Sequence, residues 1–258
     1  KAGIAMMWRA LRSLIALHGK LPAPVAILPT SNEEIGSPNV RELVPHLARD
    51  MHGVLVLEPS LPEGVLKTSR KSMGRFVVRA IGQPAHSGVN PHEGVNAIEE
   101  IAHQIFRLQS LTDEEQETTV TITMVNGGTR PNMVPAECII QTDCRTSTSA
   151  EAKRITKTIR SLAPVLSGSR IEVEGEFRRP PLEPTPQNVR LFELAQEVGS
   201  AMGRTITGDK TGGASDGNLT SGAGIATLDG LGPIGLGAHQ LNEHIRISSL
   251  PWRSALVA

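Results

Sequence analysis

The sequence predicts an α/β protein. A mixed, mostly parallel sheet with helices on both faces is built from the two ends of the chain, and an α+β unit of ferredoxin-like βαββαβ order is inserted between them. Three observations carry that prediction. Residues 25–58 read as strand, loop, helix and strand, with acidic residues just beyond each strand. From Gly74 to Phe177 the pattern becomes alternation, broken by two amphipathic helices. After the proline-rich segment 178–186, short apolar runs and glycines return.

Taken in order, residues 2–18 place Ile4, Met7, Trp8, Leu11, Leu14 and Ile15 at helical spacing and stop at Gly19, which predicts a helix packed on the sheet. Val25-Ala-Ile-Leu28 reads as a buried strand ending at Pro29. Ser37-Pro38, a cap residue with proline in the first helical position, opens a helix to about Met51. Val54-Leu-Val-Leu57 forms a second strand that delivers Glu58. These lengths predict a right-handed parallel crossover. Residues 61–71 read as a loop.

The insert is expected over 72–179, with strands at 76–81, 119–125, 138–144 and 171–177 and helices at 94–111 and 149–162, the second capped by Ser149. Alternating strands imply an antiparallel sheet with one free face, and its exposed edges offer a dimer contact. Residues 1–71 and 180–258 make the other domain, which adds a helix at 188–203, a Gly-rich segment at 211–237 and a last helix opening at Ile245.

At 258 residues the chain is comfortable for two domains. Its formal charge is balanced and only 2% of residues are aromatic, so neither nucleic acid nor an anionic membrane is an expected partner. No apolar run approaches the roughly 20 residues that span a bilayer. Cys138 and Cys144 lie too far apart on one strand to pair, and read as core thiols. That fits the cytoplasm, although a disulfide-free exported protein would look the same.

In parallel sheets ligands sit outside the carboxyl ends of the strands, where Glu33, Glu34 and Glu58 all fall. Three carboxylates repel one another unless a cation neutralises them, so a metal is the economical reading; a Glu-Glu pair in a loop is also ordinary solvated surface. His239 follows a glycine-dense approach; it is either an ordinary hydrogen-bonding loop residue or, beside the carboxylates, part of a zinc ligand set. His86, in Pro84-Ala-His86-Ser-Gly88, can donate to a developing oxyanion or simply hold a turn. Asn132 and Arg145 can pair a substrate carboxylate or lie idle on the surface. The loop with Gly213, Ser215 and Asp216 lacks the spacing of a phosphate-binding motif and reads better as a pocket wall.

Seven stretches, in this order, cover nearly the whole chain: Leu28-Pro-Thr-Ser-Asn-Glu33-Glu34-Ile-Gly-Ser, Leu57-Glu58-Pro, Ala85-His86-Ser-Gly88, Asn126-Gly-Gly-Thr-Arg-Pro-Asn132-Met-Val-Pro-Ala, Thr142-Asp-Cys-Arg145, Gly212-Gly-Ala-Ser-Asp216-Gly-Asn and Gly237-Ala-His239-Gln-Leu-Asn-Glu243. Together they resemble the di-zinc metallopeptidase family of glutamate carboxypeptidases, aminoacylases, acetylornithine deacetylase and succinyl-diaminopimelate desuccinylase. The Ser-Asp-Gly-Asn and Leu-Asp-Gly-Leu-Gly-Pro runs are most similar to the glutamate carboxypeptidase branch.

The resemblance implies a catalytic domain holding two zinc ions, and an inserted dimerisation domain that makes a homodimer. Glu33 would be the general base, Glu34 and His239 would hold one zinc and Glu58 the other. His86 would serve the oxyanion of the neighbouring subunit's site. Asn132 and Arg145 would hold the substrate carboxylate, with Gly213, Ser215 and Asp216 lining the pocket. The family's remaining ligands, a histidine of a His-x-Asp motif and a bridging aspartate, lie upstream of the run that Lys1-Ala2-Gly3 resembles, so the chain is expected to correspond to the last two thirds of such an enzyme. The expected activity is zinc-dependent hydrolysis of peptide bonds. The alternatives are an N-acyl amino acid deacylase and a non-catalytic dimerising fragment.

Overall fold

A computed structural model describes all 258 residues, Lys1–Ala258. By contacts the chain divides into two compact units, one of Lys1–Arg70 with Leu182–Ala258, the other Lys71–Pro181.

The first unit opens with α1 (Ala2–His18), which Gly19 ends in the left-handed conformation while donating its N–H to Ile15 O. The buried face of α1 centres on Met6 and Ala10, and Trp8 is 62% exposed, so the face differs from the expected one. Residues 25–28 form no strand and pair with none, and the expected crossover between them and residues 54–57 is absent. Pro22, Pro24 and Pro29 crowd this segment and remove ladder donors on both sides. The expected 38–51 helix is shorter: α2 spans Leu43–Ala48. Pro45 explains the late start, because its missing N–H is harmless only in a first turn.

Next come β1 (Val54–Leu55) and β2 (Leu66–Arg70). The second lies inside what the sequence suggested was a loop. Its polar residues hide it, since only Leu66 and Arg70 are buried.

The second unit follows as β3 (Met73–Ile81), α3 (Ala97–Gln109), β4 (Thr119–Gly127), β5 (Glu137–Arg145), α4 (Ser149–Arg160) and β6 (Arg170–Arg179). Its sheet runs β4-β5-β3-β6, antiparallel throughout, which is the ferredoxin-like order. Phe76, Val78, Ala80, Ile101, Leu108, Ile140, Ile155 and Ile159 form its core. Phe177 packs edge-on against Phe76, with ring centroids 5.9 Å apart. Both cysteines are free and buried, and burial pushes the Cys144 thiol up to about 11. The cap of α4 is Thr148, whose hydroxyl accepts the Glu151 N–H, rather than Ser149.

The chain returns to the first unit with α5 (Pro186–Ala201), β7 (Gly208–Thr211), α6 (Gly217–Gly222), β8 (Thr227–Leu228), β9 (Gly235–Leu236), β10 (His244–Ile245) and α7 (Leu250–Val257). Strand β1 pairs in parallel with β8, and β2 with β7, while β9 and β10 form an antiparallel hairpin. Leu66, Ile206, Leu228, Leu231 and Leu256 form the core of this unit. No helix is long and apolar enough to cross a membrane.

Candidate metal and hydrolase site

Asn32 leads into a single 3-10 turn, Glu33–Ile35, which Gly36 closes in the left-handed region by donating to Glu33 O. The turn sets Glu33 and Glu34 side by side. The hairpin β9–β10 carries His239 at its tip, in a turn closed by the Gln240 N–H to Gly237 O. Gly237 (φ 76) and His239 (φ 64) both adopt left-handed backbone there.

The two segments meet. His239 Nδ1 lies 3.7 Å from Glu34 Oε2, with the side chains 77% and 75% exposed. Two donors on one tetrahedral zinc sit about 3.3 Å apart, so this pair fits two positions on a single ion with little adjustment. No third His, Cys, Asp or Glu joins them to complete a cluster.

Glu58 stands just beyond β1. The Gly232 N–H donates to its carbonyl at 2.8 Å, and a Cβ on Gly232 would fall 2.5 Å from the same oxygen. The glycines before His239 thus also let their loop close onto the Glu58 strand. Burial, then the charges of Asp229 and Glu33, hold the Glu58 carboxyl above the usual carboxylate range, with Lys67 and Arg70 opposing them. Burial, and then Arg70, push the Lys67 ammonium down. The Glu33 charge thus bears on Glu58, although neither joins Glu34 and His239 in a closed ligand set.

In the second unit, His86 is exposed and its Nδ1 accepts the Gly88 N–H at 3.2 Å. In the neutral ring the proton then sits on Nε2, leaving an outward donor. Asn132 is adjacent: its carbonyl accepts the Ser87 N–H at 3.1 Å. Arg145 is already engaged, its fork closed on Asp143 at 2.7 and 3.1 Å.

The remaining predicted residues are bonded to buried side chains. Gly213 O accepts from Arg70 Nη1 at 2.9 Å, Ser215 donates to Asp229, and Asp216 accepts from Ser37. Arg70 and Lys67 carry no signal in the sequence; Ser37 reads there only as a helix cap, and Asp229 only as part of the Leu228-Asp-Gly-Leu-Gly-Pro233 run.

The comparisons with known proteins agree with this architecture. Residues 68–167 match the profile of the M20 peptidase dimerisation domain. Along its whole length the chain is 25% identical to carboxypeptidase G2 of Pseudomonas sp. strain RS-16, of which it spans 63%, less than two thirds. Among solved structures, aminopeptidase PepT from Bacillus cereus superposes with a TM-score of 0.75 at 24% identity, covering 99% of this chain and 68% of that one. YxeP from Bacillus subtilis, described as a dinuclear metal-binding peptidase of the M20 family, gives a TM-score of 0.64 at 18% identity over 87% of this chain and 60% of that one.

The inserted unit thus matches the peptidase dimerisation domain, and the fold of the chain as a whole is similar to that of these solved peptidases.

Proposed function

We propose that the protein acts as a metal-dependent hydrolase of peptide or amide bonds, carboxypeptidase-like, with zinc as the metal. The observation that carries this reading is the approach of Glu34 and His239 from distant parts of the chain to 3.7 Å. In the proposal these two hold one zinc and Glu58 belongs to the other. When bound, zinc would acidify a water and polarise the scissile carbonyl. Glu33 accepts the proton from the attacking water and returns it to the leaving amine. Across the dimer, His86 supplies the oxyanion donor of the neighbouring subunit's site through Nε2–H, and Asn132 offers its amide to a substrate carboxylate. Arg145 reaches such a carboxylate only by exchanging Asp143.

Zinc per chain after exhaustive dialysis tests the reading. A value near two would support the paired-metal reading; a value near zero would mean a fold without a working site. Hydrolysis of folyl- or glutamyl-peptides, set against acetyl-amino acids, separates the carboxypeptidase from the N-acyl amino acid deacylase.

The match to a dimerisation domain supports a homodimer through the insert. Strand β4 is an edge of its sheet, and its Met124 and Val125 are 60% and 64% exposed. Phe106 on α3 is 75% exposed. Val125→Arg combined with Phe106→Glu is expected to weaken self-association at least about tenfold by sedimentation, with folding retained. An unchanged dimer would move the interface elsewhere.

A further inference from the structure

The loop 213–218 is wired to the elements that carry the acidic residues on both of its sides. Ser37 is fully buried, one residue past the Glu33–Gly36 turn, and its N–H closes that turn on Asn32 O at 3.0 Å. Its hydroxyl donates to Asp216 Oδ1 at 2.5 Å. The neighbouring Ser215, 1% exposed, donates to Asp229 Oδ2 at 2.5 Å and accepts the Gly217 N–H at 3.1 Å. Asp229 is fully buried and receives Arg70 Nε at 2.7 Å and Nη2 at 3.2 Å, while Arg70 Nη1 returns to the loop at Gly213 O. Asp229 directly follows β8, the partner of β1, and Leu231 N–H bonds Val56 O two residues before Glu58.

We infer that Ser37, Asp216, Ser215, Asp229 and Arg70 form a positioning network that holds the Glu33–Glu34 turn in register with the Glu58 strand. Ser215 and Asp216 are then braces rather than contacts to substrate. The chemistry favours this. Each hydroxyl carries one proton and spends it on a carboxylate, in bonds that are charge-assisted and shielded from water. A ligand set works only when held to about 0.5 Å, which a lone 3-10 turn in a loop does not secure by itself. The inference rests on the hydrolase reading above for the purpose of the network, but not for its existence.

Two measurements on the full chain test it. In Ser37→Ala, amide exchange at Ile35, Gly36 and position 37, the amides that close the turn, should accelerate at least about tenfold while α5 amides keep their rates, a local loss that general destabilisation would not produce. Zinc chloride titrated into metal-free protein should bind about tenfold more weakly to Ser37→Ala than to wild type. Asp216→Asn, which keeps side-chain volume, should show both effects. Unchanged exchange in the turn overturns the brace. So does an Asp216→Asn variant whose only change is a higher KM, since that marks a substrate contact. Wild-type protein that binds no zinc defeats the hydrolase reading, and the exchange experiment then still decides the network.

Discussion

Glu100→Ala is expected to lower stability by about 4 kcal/mol, as a fall in urea midpoint at unchanged slope. Glu100 lies on the inner face of α3 and is fully buried. No cation pairs with it. Its carboxylate instead gathers donors from the segment after α4: the Val165 N–H at 3.0 Å, the Leu166 N–H at 2.8 Å and Ser169 Oγ at 2.8 Å, with Gln104 Nε2 at 2.6 Å from its own helix. Alanine would leave two part-buried backbone N–H groups without their acceptor and open a cavity. Glu100→Gln should lose less in volume, but its amide would point donors at donors.

The same site gives a pH dependence. Burial on its own would raise the Glu100 carboxyl, but Gln104, Leu166, Ser169 and Val165 together hold it below the usual range. A depressed carboxylate contributes stability that is complete above the unfolded value, about pH 4.3, and is lost as pH falls through the folded value. Wild type should therefore lose more stability than Glu100→Ala between pH 6 and pH 3 (about one site's worth of linkage). Parallel losses in the two proteins would show that Glu100 is not a dominant acid-sensitive group.

Glu100 also shows where pattern reading stops. The insert was legible because alternation and helical spacing are local, and Phe76, Ile101, Leu108 and Ile155 all reach the core. Yet helical spacing does not mark Glu100 as buried, and Ile98 on the same helix is exposed. In the first unit, Val25-Ala-Ile-Leu28 has the composition of a strand, but a ladder needs a partner and composition does not supply one. The β2–β7 pair was invisible for the opposite reason, its residues being mostly polar. Arg70 and Asp229 lie 159 positions apart, so no window along the chain joins them. The Glu33-Glu34 turn and His239 stood out by residue type and glycine context. Their approach is a product of the fold.

Arg253→Met is expected to cost about 3 kcal/mol, for a different reason. Arg253 is fully buried and faces no carboxylate. Its guanidinium donates to three backbone carbonyls instead: Gly232 O at 2.8 Å, Gly64 O at 2.9 Å and Gly230 O. Burial pushes it down to about 10, which still leaves it charged at neutral pH. Three carbonyl dipoles thus replace a counter-ion, and the planar fork fixes the turn that donates Gly232 N–H to Glu58. Methionine fills much of the space but leaves all three acceptors without donors. Arg253→Lys should recover less than half of the loss, because one ammonium on a shorter stem cannot serve three diverging carbonyls. Urea midpoints and amide exchange at residues 230–232 would measure both. If the lysine variant matched wild type, the charge alone would matter and the fork geometry would not. If methionine cost under about 1 kcal/mol, the turn would be held by its own glycines and the Leu231–Val56 bond, with Arg253 filling space.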